Sequence, residues 1–174
     1  MQNLEVRLAR VSDAENIAHV AEVTFRETYE NTSQIDKANI ELYIRQVFTP
    51  QAVRQNFSNQ NISYFVAEVN NQAVAYAKIV RGFRQDGIEA EKVINLEKIY
   101  VFNAYIGKGI GRALMNKIIE VARNEKYEMI WLGVWKINGK AIGFYEKLGF
   151  EHCGDYPFKM GNQVYNDWMM KKEL

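Results

Sequence analysis

Gly107, Gly109 and Gly111, in the run Gly107-Lys108-Gly109-Ile110-Gly111, stand where an apolar, strand-like stretch hands over to an amphipathic one. In such a turn the backbone N–H groups point outward at the positive end of a helix dipole and can hold a phosphate. A tight strand-to-helix connection needs glycine in any case, so the triplet taken alone reads either way. Two other phosphate motifs fit poorly. A dinucleotide site asks for an acidic residue about 20 positions on, where this chain has Trp131 inside an apolar run, and Lys108 lacks the Ser or Thr that follows the lysine of a P-loop.

A second stretch runs from Asn138 to Gly149. On a helix, Asn138 and Tyr145 share one face about 10 Å apart; alone, they read as an N-cap and a packing residue. Glu97 precedes the glycine turn and, by the period-two alternation of a strand, shares a face with Ile99 and Val101. It reads either as a proton acceptor or as an ion-paired strand residue. His19, His152 and Cys153 form no recognisable metal-ligand pattern, so no metal is expected, and no serine or cysteine sits in a nucleophile elbow.

The elements that must position these residues follow from periodicity. Leu4 to Leu8 alternates like a strand, and Ser12 with Glu15 suggests a capping box opening a helix to about Tyr29. Helical stretches follow at Ile35 to Val47 and, after Pro50, around Val53 and Phe57. Ile62 to Val69 and Ala73 to Val80 predict an antiparallel hairpin about Asn70-Asn71-Gln72. Val93 to Phe102 predicts a strand leading into the glycine turn, with a helix beyond it burying Ile110, Leu114, Ile118, Val121 and Ala122. Met129 to Val134, apolar except at Gly133, suits a central strand. Asn138 to Leu148 predicts a short helix ended by Gly149. Phe150 onward and Val164 to Met170 supply the last strands. Strands that pair antiparallel and then cross over through helices predict a mixed α/β sheet flanked by helices.

Composition bounds the function. The chain has 174 residues, 48% of them hydrophobic, the size of one domain, and no linker or repeat divides residues 1–174. A net charge of +1 gives no field to recruit nucleic acid or an anionic membrane. One cysteine, no signal-peptide core and no run of about 18 apolar residues make the cytoplasm the expected compartment.

From Val101 through Gly111, and again in Asn138, Ala141, Phe144, Tyr145, Gly149 and Phe150, the chain resembles the Gcn5-related N-acetyltransferase (GNAT) superfamily. The first stretch follows its pyrophosphate-loop pattern, Gln/Arg-x-x-Gly-x-Gly/Ala, with Ile106 at the Gln/Arg position. The second follows Asn-x-x-Ala-x-x-Phe-Tyr-x-x-x-Gly-Phe. The resemblance is close from Val93 to Leu174 and looser before it. More narrowly, Leu96 to Val101, Ile130 to Trp135 and Phe158 to Gly161 resemble PaiA-type spermidine/spermine N-acetyltransferases.

That resemblance implies a largely antiparallel sheet of about seven strands and acetyl-CoA as co-substrate. It implies that Ile106, Gly107, Lys108, Gly109, Ile110, Gly111 and Arg112 meet the CoA pyrophosphate, backbone donors from Ile106 to Gly111 surviving the loss of a side chain at Ile106. Asn138 would contact CoA, and Ile99, Tyr100 and Val101 would hold the pantetheine arm and acetyl carbonyl. Tyr145 would protonate the departing thiolate. An ammonium with a pKa near 10 must shed a proton before it attacks, and Glu97 is the candidate base. Direct transfer in a ternary complex is the simplest route.

The acceptor side is the more acidic. Residues 1–50 carry eight acidic and five basic residues, a net of −3, whereas residues 97–126 carry six basic and three acidic, a net of +3. In the family the first two helices usually wall the acceptor site, so Glu22, Glu27 and Glu30, near Phe25 and Tyr29, could receive a polyamine such as spermidine or spermine; an ordinary solvated helix face is the alternative. A protein amino terminus, a lysine side chain or an aminoglycoside are other acceptors the sequence allows, as is a non-catalytic acetyl-CoA sensor. A small-molecule amine is the expected partner, with a monomer or homodimer as the assembly.

Overall fold

Alternation along the strands decides which helices each face of the sheet receives. The computed structural model describes residues 3–174. In chain order these form β1 (Leu4–Leu8), α1 (Ala14–Tyr29), α2 (Lys37–Val47), α3 (Pro50–Asn56), β2 (Ile62–Val69), β3 (Gln72–Arg81), β4 (Val93–Val101), α4 (Ile110–Asn124), β5 (Met129–Val134), α5 (Gly139–Glu146), β6 (Glu151–Met160) and β7 (Gln163–Glu173). The strands make one seven-stranded sheet in the order β1-β2-β3-β4-β5-β7-β6. Every neighbouring pair is antiparallel except β4 and β5.

One face of the sheet packs on α4 and α5 through Phe65, Ala77, Leu114, Ile118 and Ile130. The other packs on α1, α2 and α3 through Phe25, Ile40, Val53, Tyr64 and Tyr76. The hairpin turn is where the two asparagines put it: Asn70 and Asn71 both take positive φ, 51° and 64°, the left-handed pair that matches the twist of the flanking strands. Gly149 closes α5 at φ +84°, and Phe150 N–H donates to the Tyr145 carbonyl at 3.0 Å, a Schellman-type stop.

Two helix starts differ from the sequence expectation. Ser12 and Glu15 do not form the box before α1. The Asp13 carboxylate accepts from Arg10 N–H at 2.7 Å and is gripped by the Arg7 guanidinium at 2.8 and 2.9 Å, so the chain enters through a 3₁₀ turn, Val11–Asp13, one turn earlier. Glu15 instead pairs with Arg54 of α3. α2 begins at Lys37 and not Ile35, because Asp36 caps it by accepting from Ala38 N–H at 2.9 Å. Ile35 stays outside the helix yet is buried in the same cluster as Ile40, a hydrophobic staple.

Candidate functional site

The site lies where the one parallel pair comes apart. β4 and β5 pair through Val93 with Met129, Ile94 with Ile130 and Asn95 with Trp131, and no further. At the last rung the Asn95 amide donates to the Trp131 carbonyl at 3.3 Å. Beyond it one edge of β4 has no strand beside it, and two hollows open. One, of about 690 Å³, is bordered by the glycine turn, the end of β4 and the start of α5. The other, of about 340 Å³, is walled by Tyr29, Tyr43, Tyr156 and Phe158. Ile99, Tyr100, Trp135 and Tyr145 line both, so the hollows meet there.

The glycine turn is the anion end of the larger groove. Gly107 and Gly109 have φ +81° and +83°, and a Cβ on either would meet nothing within 4 Å. Gly109 is the residue before α4, whose first-turn N–H groups have no carbonyl to bond. The donors are fewer than expected: Ile106 N–H bonds the Asn103 carbonyl at 3.2 Å and Lys108 N–H the Tyr105 carbonyl at 3.3 Å. Those of Gly107, Gly109, Ile110 and Gly111 have no backbone partner among the described residues. Gly111 is packed more closely, since a Cβ there would stand 3.4 Å from the Phe144 ring of α5, in van der Waals contact. Arg112 is exposed on the groove, the Lys108 ammonium lies 4.9 Å from the Tyr105 ring centre, and Ile106 presents its side chain to solvent.

Asn138 caps α5, its side-chain oxygen accepting from Ala141 N–H at 3.1 Å, and it borders the same groove. Tyr145, one face along, is buried beside Phe144 and Phe150, with ring centres 5.4 and 5.7 Å away. Burial, with Tyr29 adding to it, holds its phenol above the ordinary range.

Glu97 is not on the face of Ile99 and Val101. Lys78 pairs with Lys98 while Ile79 pairs with Leu96, so Glu97 is the extra residue of a β-bulge. The bulge turns Glu97 to the side of Lys98: its carboxylate is 2.8 Å from the Lys78 ammonium and 3.8 Å from that of Lys98. Burial raises its pKa, but Lys98 and Lys78 outweigh burial and hold the carboxyl below its usual value. Lys98 is itself buried, donating to the Tyr43 hydroxyl at 2.7 Å and lying 5.2 Å from the Phe158 ring centre.

The acidic residues of α1 are not gathered in the smaller hollow. Glu27 borders the larger groove and accepts from Asn103 N–H at 3.0 Å, fixing the turn after β4. Glu30 is exposed beyond the end of α1 and borders neither hollow. Tyr29 does line the smaller hollow, in contact with Trp135 at 5.3 Å between ring centres. Burial, then the charge of Asp167, push its phenol up to about 12.

Asp167 of β7 is the acidic residue the sequence reading passed over. It is 6% exposed and lines the smaller hollow. Burial pushes its carboxyl up to about 6 against the pull of Lys98 and Lys136. A signal was there: in the last strand Tyr165, Asp167 and Met169 share the inward parity, and an acid at such a position needs a reason.

No helix of the described residues is long and apolar enough to cross a membrane. The profile of the acetyltransferase (GNAT) family matches residues 16–150. An uncharacterised N-acetyltransferase of Mycobacterium tuberculosis is 27% identical over 164 residues, 94% of this chain and 99% of that protein. A PaiA N-acetyltransferase from Thermoplasma acidophilum, solved with coenzyme A, superposes with a TM-score of 0.77 at 19% identity, covering 99% of both chains. A ribosomal-protein-alanine N-acetyltransferase from Brucella melitensis superposes at 0.73 with 25% identity, covering 98% of this chain and 99% of that one. With the family profile spanning most of the chain and the split β4–β5 pair ending on a glycine turn, this protein belongs to the acetyltransferase (GNAT) family and is an acyltransferase whose co-substrate is acetyl-CoA.

Proposed function

We propose that this enzyme transfers acetyl directly from acetyl-CoA to the primary amine of a small molecule, a polyamine such as spermidine or spermine being the first acceptor to test. The observation that carries the reading is the meeting of the two hollows at Ile99, Tyr100, Trp135 and Tyr145. A thioester entering along the groove from the glycine turn and an amine entering from the aromatic hollow converge there, which replaces a bimolecular encounter by a positioned one. The residues present fit the co-substrate: unpaired N–H donors of the glycine turn for the pyrophosphate, Asn138 and Val101 along the arm, and the free edge of β4 at Ile99 and Tyr100 for the acyl end.

No serine or cysteine lines either hollow, and Cys153 is elsewhere, its thiol donating to the Met169 carbonyl at 3.4 Å. The one aliphatic hydroxyl lining the groove, that of Thr28, donates to the Thr24 carbonyl at 2.8 Å within α1 and has no base beside it, so the amine attacks the thioester itself. The geometry also refines the part of Tyr145. A phenol held above its ordinary value is a weaker acid than a thiol of about 8.5, so outright proton release to a thiolate is uphill. Tyr145 acts chiefly as a hydrogen-bond donor where charge develops on sulfur. Ion-paired to two lysines, Glu97 is poorly suited to be the base and serves to hold Lys98 and Lys78 in the wall.

Support for a polyamine rests on the PaiA-type stretches and on Asp167, the carboxylate of the smaller hollow that no lysine pairs, and no longer on Glu27 and Glu30. The test is thiol release from acetyl-CoA with spermidine, spermine, simple monoamines, aminoglycosides, amino acids and peptides. Turnover with spermidine above that with a neutral-tailed monoamine supports the polyamine reading; turnover confined to peptides replaces it with protein acetylation, and turnover with no amine overturns the transferase reading.

A further inference from the structure

We propose, resting on the acetyl-transfer reading above, that Asp167 is the carboxylate that binds the acceptor's ammonium and accepts its first proton. Its position is the primary reason. Asp167 lines the smaller hollow, and it precedes Trp168, the β7 partner of Val134, so it lies beside the segment that carries Trp135, one of the residues lining both hollows. Tyr29, which lines the same hollow, feels its charge.

The second reason is that it has no partner. Glu97 is matched by Lys78 at 2.8 Å, and Asp155, near Asp167 in space, is matched by Lys136 at 2.9 Å. Among the described residues no donor bonds the Asp167 carboxylate and no cation lies within ion-pair distance of it. A carboxylate 6% exposed and unpaired is costly to keep, and the cost is removed by a cation brought from outside. The walls suit that cation: Tyr29, Trp135 and Tyr156 offer aromatic surface to an alkyl stem and an ammonium. Tyr43 and Phe158 are already occupied by Lys98, at 5.3 and 5.2 Å from their ring centres.

The charges facing Asp167 also favour proton release. Lys98 shares Glu97 with Lys78, so one positive charge of the wall is left to be balanced across the hollow. A like charge nearby disfavours an ammonium relative to the free amine. Lys136 approaches from the segment after β5, and Tyr29 and Tyr156 keep their phenolic protons; no other acidic group than Glu97 faces the hollow among the described residues. A carboxyl raised to about 6 is a better match for the amine than an ordinary one.

The protons balance. The ammonium gives one proton to Asp167, and the neutral amine forms the C–N bond as the C–S bond breaks. The second nitrogen proton passes to solvent, and sulfur leaves as the thiolate, held by the Tyr145 hydroxyl's hydrogen bond until it takes a proton from water. Asp167 then returns its proton to solvent.

The experiment compares wild type, Asp167→Asn and Asp167→Glu in thiol release against the amine panel, with acetyl-CoA affinity by calorimetry and melting temperature alongside. Asp167→Asn is expected to stay folded, bind acetyl-CoA within about twofold of wild type, and lose on the order of 100-fold in kcat/KM for the amine. Asp167→Glu is expected to recover part of that loss. Wild-type kcat/KM is expected to fall on an acid limb near pH 6, whereas that of Asp167→Asn follows the free amine and keeps rising toward the amine's own pKa of about 10. A folded Asp167→Asn with wild-type kcat/KM, or one whose acid limb stays near pH 6, overturns the proposal and leaves the transferase reading intact. A wild type that turns over no amine overturns both.

Discussion

Glu97 and Lys98 are neighbours in sequence, yet both project from the same face of β4, their charged ends 3.8 Å apart, because the strand bulges at Glu97. A regular strand would send them to opposite faces. The bulge coincides with the point where β4 leaves β5, and local over-twisting is what a bulge supplies. One extra residue thus turns a lysine and its counter-ion together into the wall of the smaller hollow.

Glu97→Gln is therefore expected to cost about 1 to 3 kcal/mol of stability, since it leaves two lysine ammonium groups short of a partner. Its effect on acetylation should be the same from pH 6 to 10. Rate profiles over that range decide: a defect that grows as pH falls would restore Glu97 as the base.

Tyr145→Phe removes one hydroxyl and leaves the ring against Phe144 and Phe150. Turnover should fall by about 10- to 100-fold while the dissociation constant for acetyl-CoA stays within about twofold, since the hydrogen bond belongs to the transition state. Equal turnover in single-turnover kinetics would leave Tyr145 a packing residue.

Gly109→Asp places a carboxylate where the pyrophosphate should lie, at a position of φ +83°. Aspartate tolerates that backbone better than most residues, so the variant should fold. Calorimetry should show acetyl-CoA binding weakened beyond about 100-fold, from charge repulsion in place of attraction. Gly109→Asn is the control for strain: if it weakens binding as much, the effect is conformational.

Strand and helix periods made most elements readable, and the glycine turn and the Asn138 to Phe150 stretch pointed to the larger groove without any coordinates. The smaller hollow was hidden for physical reasons. A bulge inverts side-chain parity without leaving a mark in composition, so Glu97 was placed on the wrong face. The α1 acids looked like a cation site because sequence does not show that Arg26 holds Glu22, at 3.0 Å, and Glu41, or that Asn103 N–H holds Glu27. Asp167 meets the site only through the pairing of β7 with β5 and β6, contacts made late in the chain and across the sheet.

Asp167 should also be visible as a stability cost that depends on pH. Its carboxyl titrates at about 6 in the folded protein against about 3.8 when unfolded, so the native state holds the proton more tightly. Stability from this group is complete below the unfolded value and is lost as pH rises through about 6. At pH 8 the loss is about 3 kcal/mol, the 1.36 kcal/mol per unit applied to that difference. Asparagine carries no charge and escapes it. Asp167→Asn should therefore be more stable than wild type by up to about 3 kcal/mol at pH 8 and by about half that at pH 5, any change in polar packing being common to both. Urea unfolding of both proteins at the two pH values measures the difference. A gain that does not change with pH would mean that Asp167 stays ionised and solvated at neutral pH, while a gain that shrinks toward acid identifies a buried charge kept in the hollow at the expense of the fold.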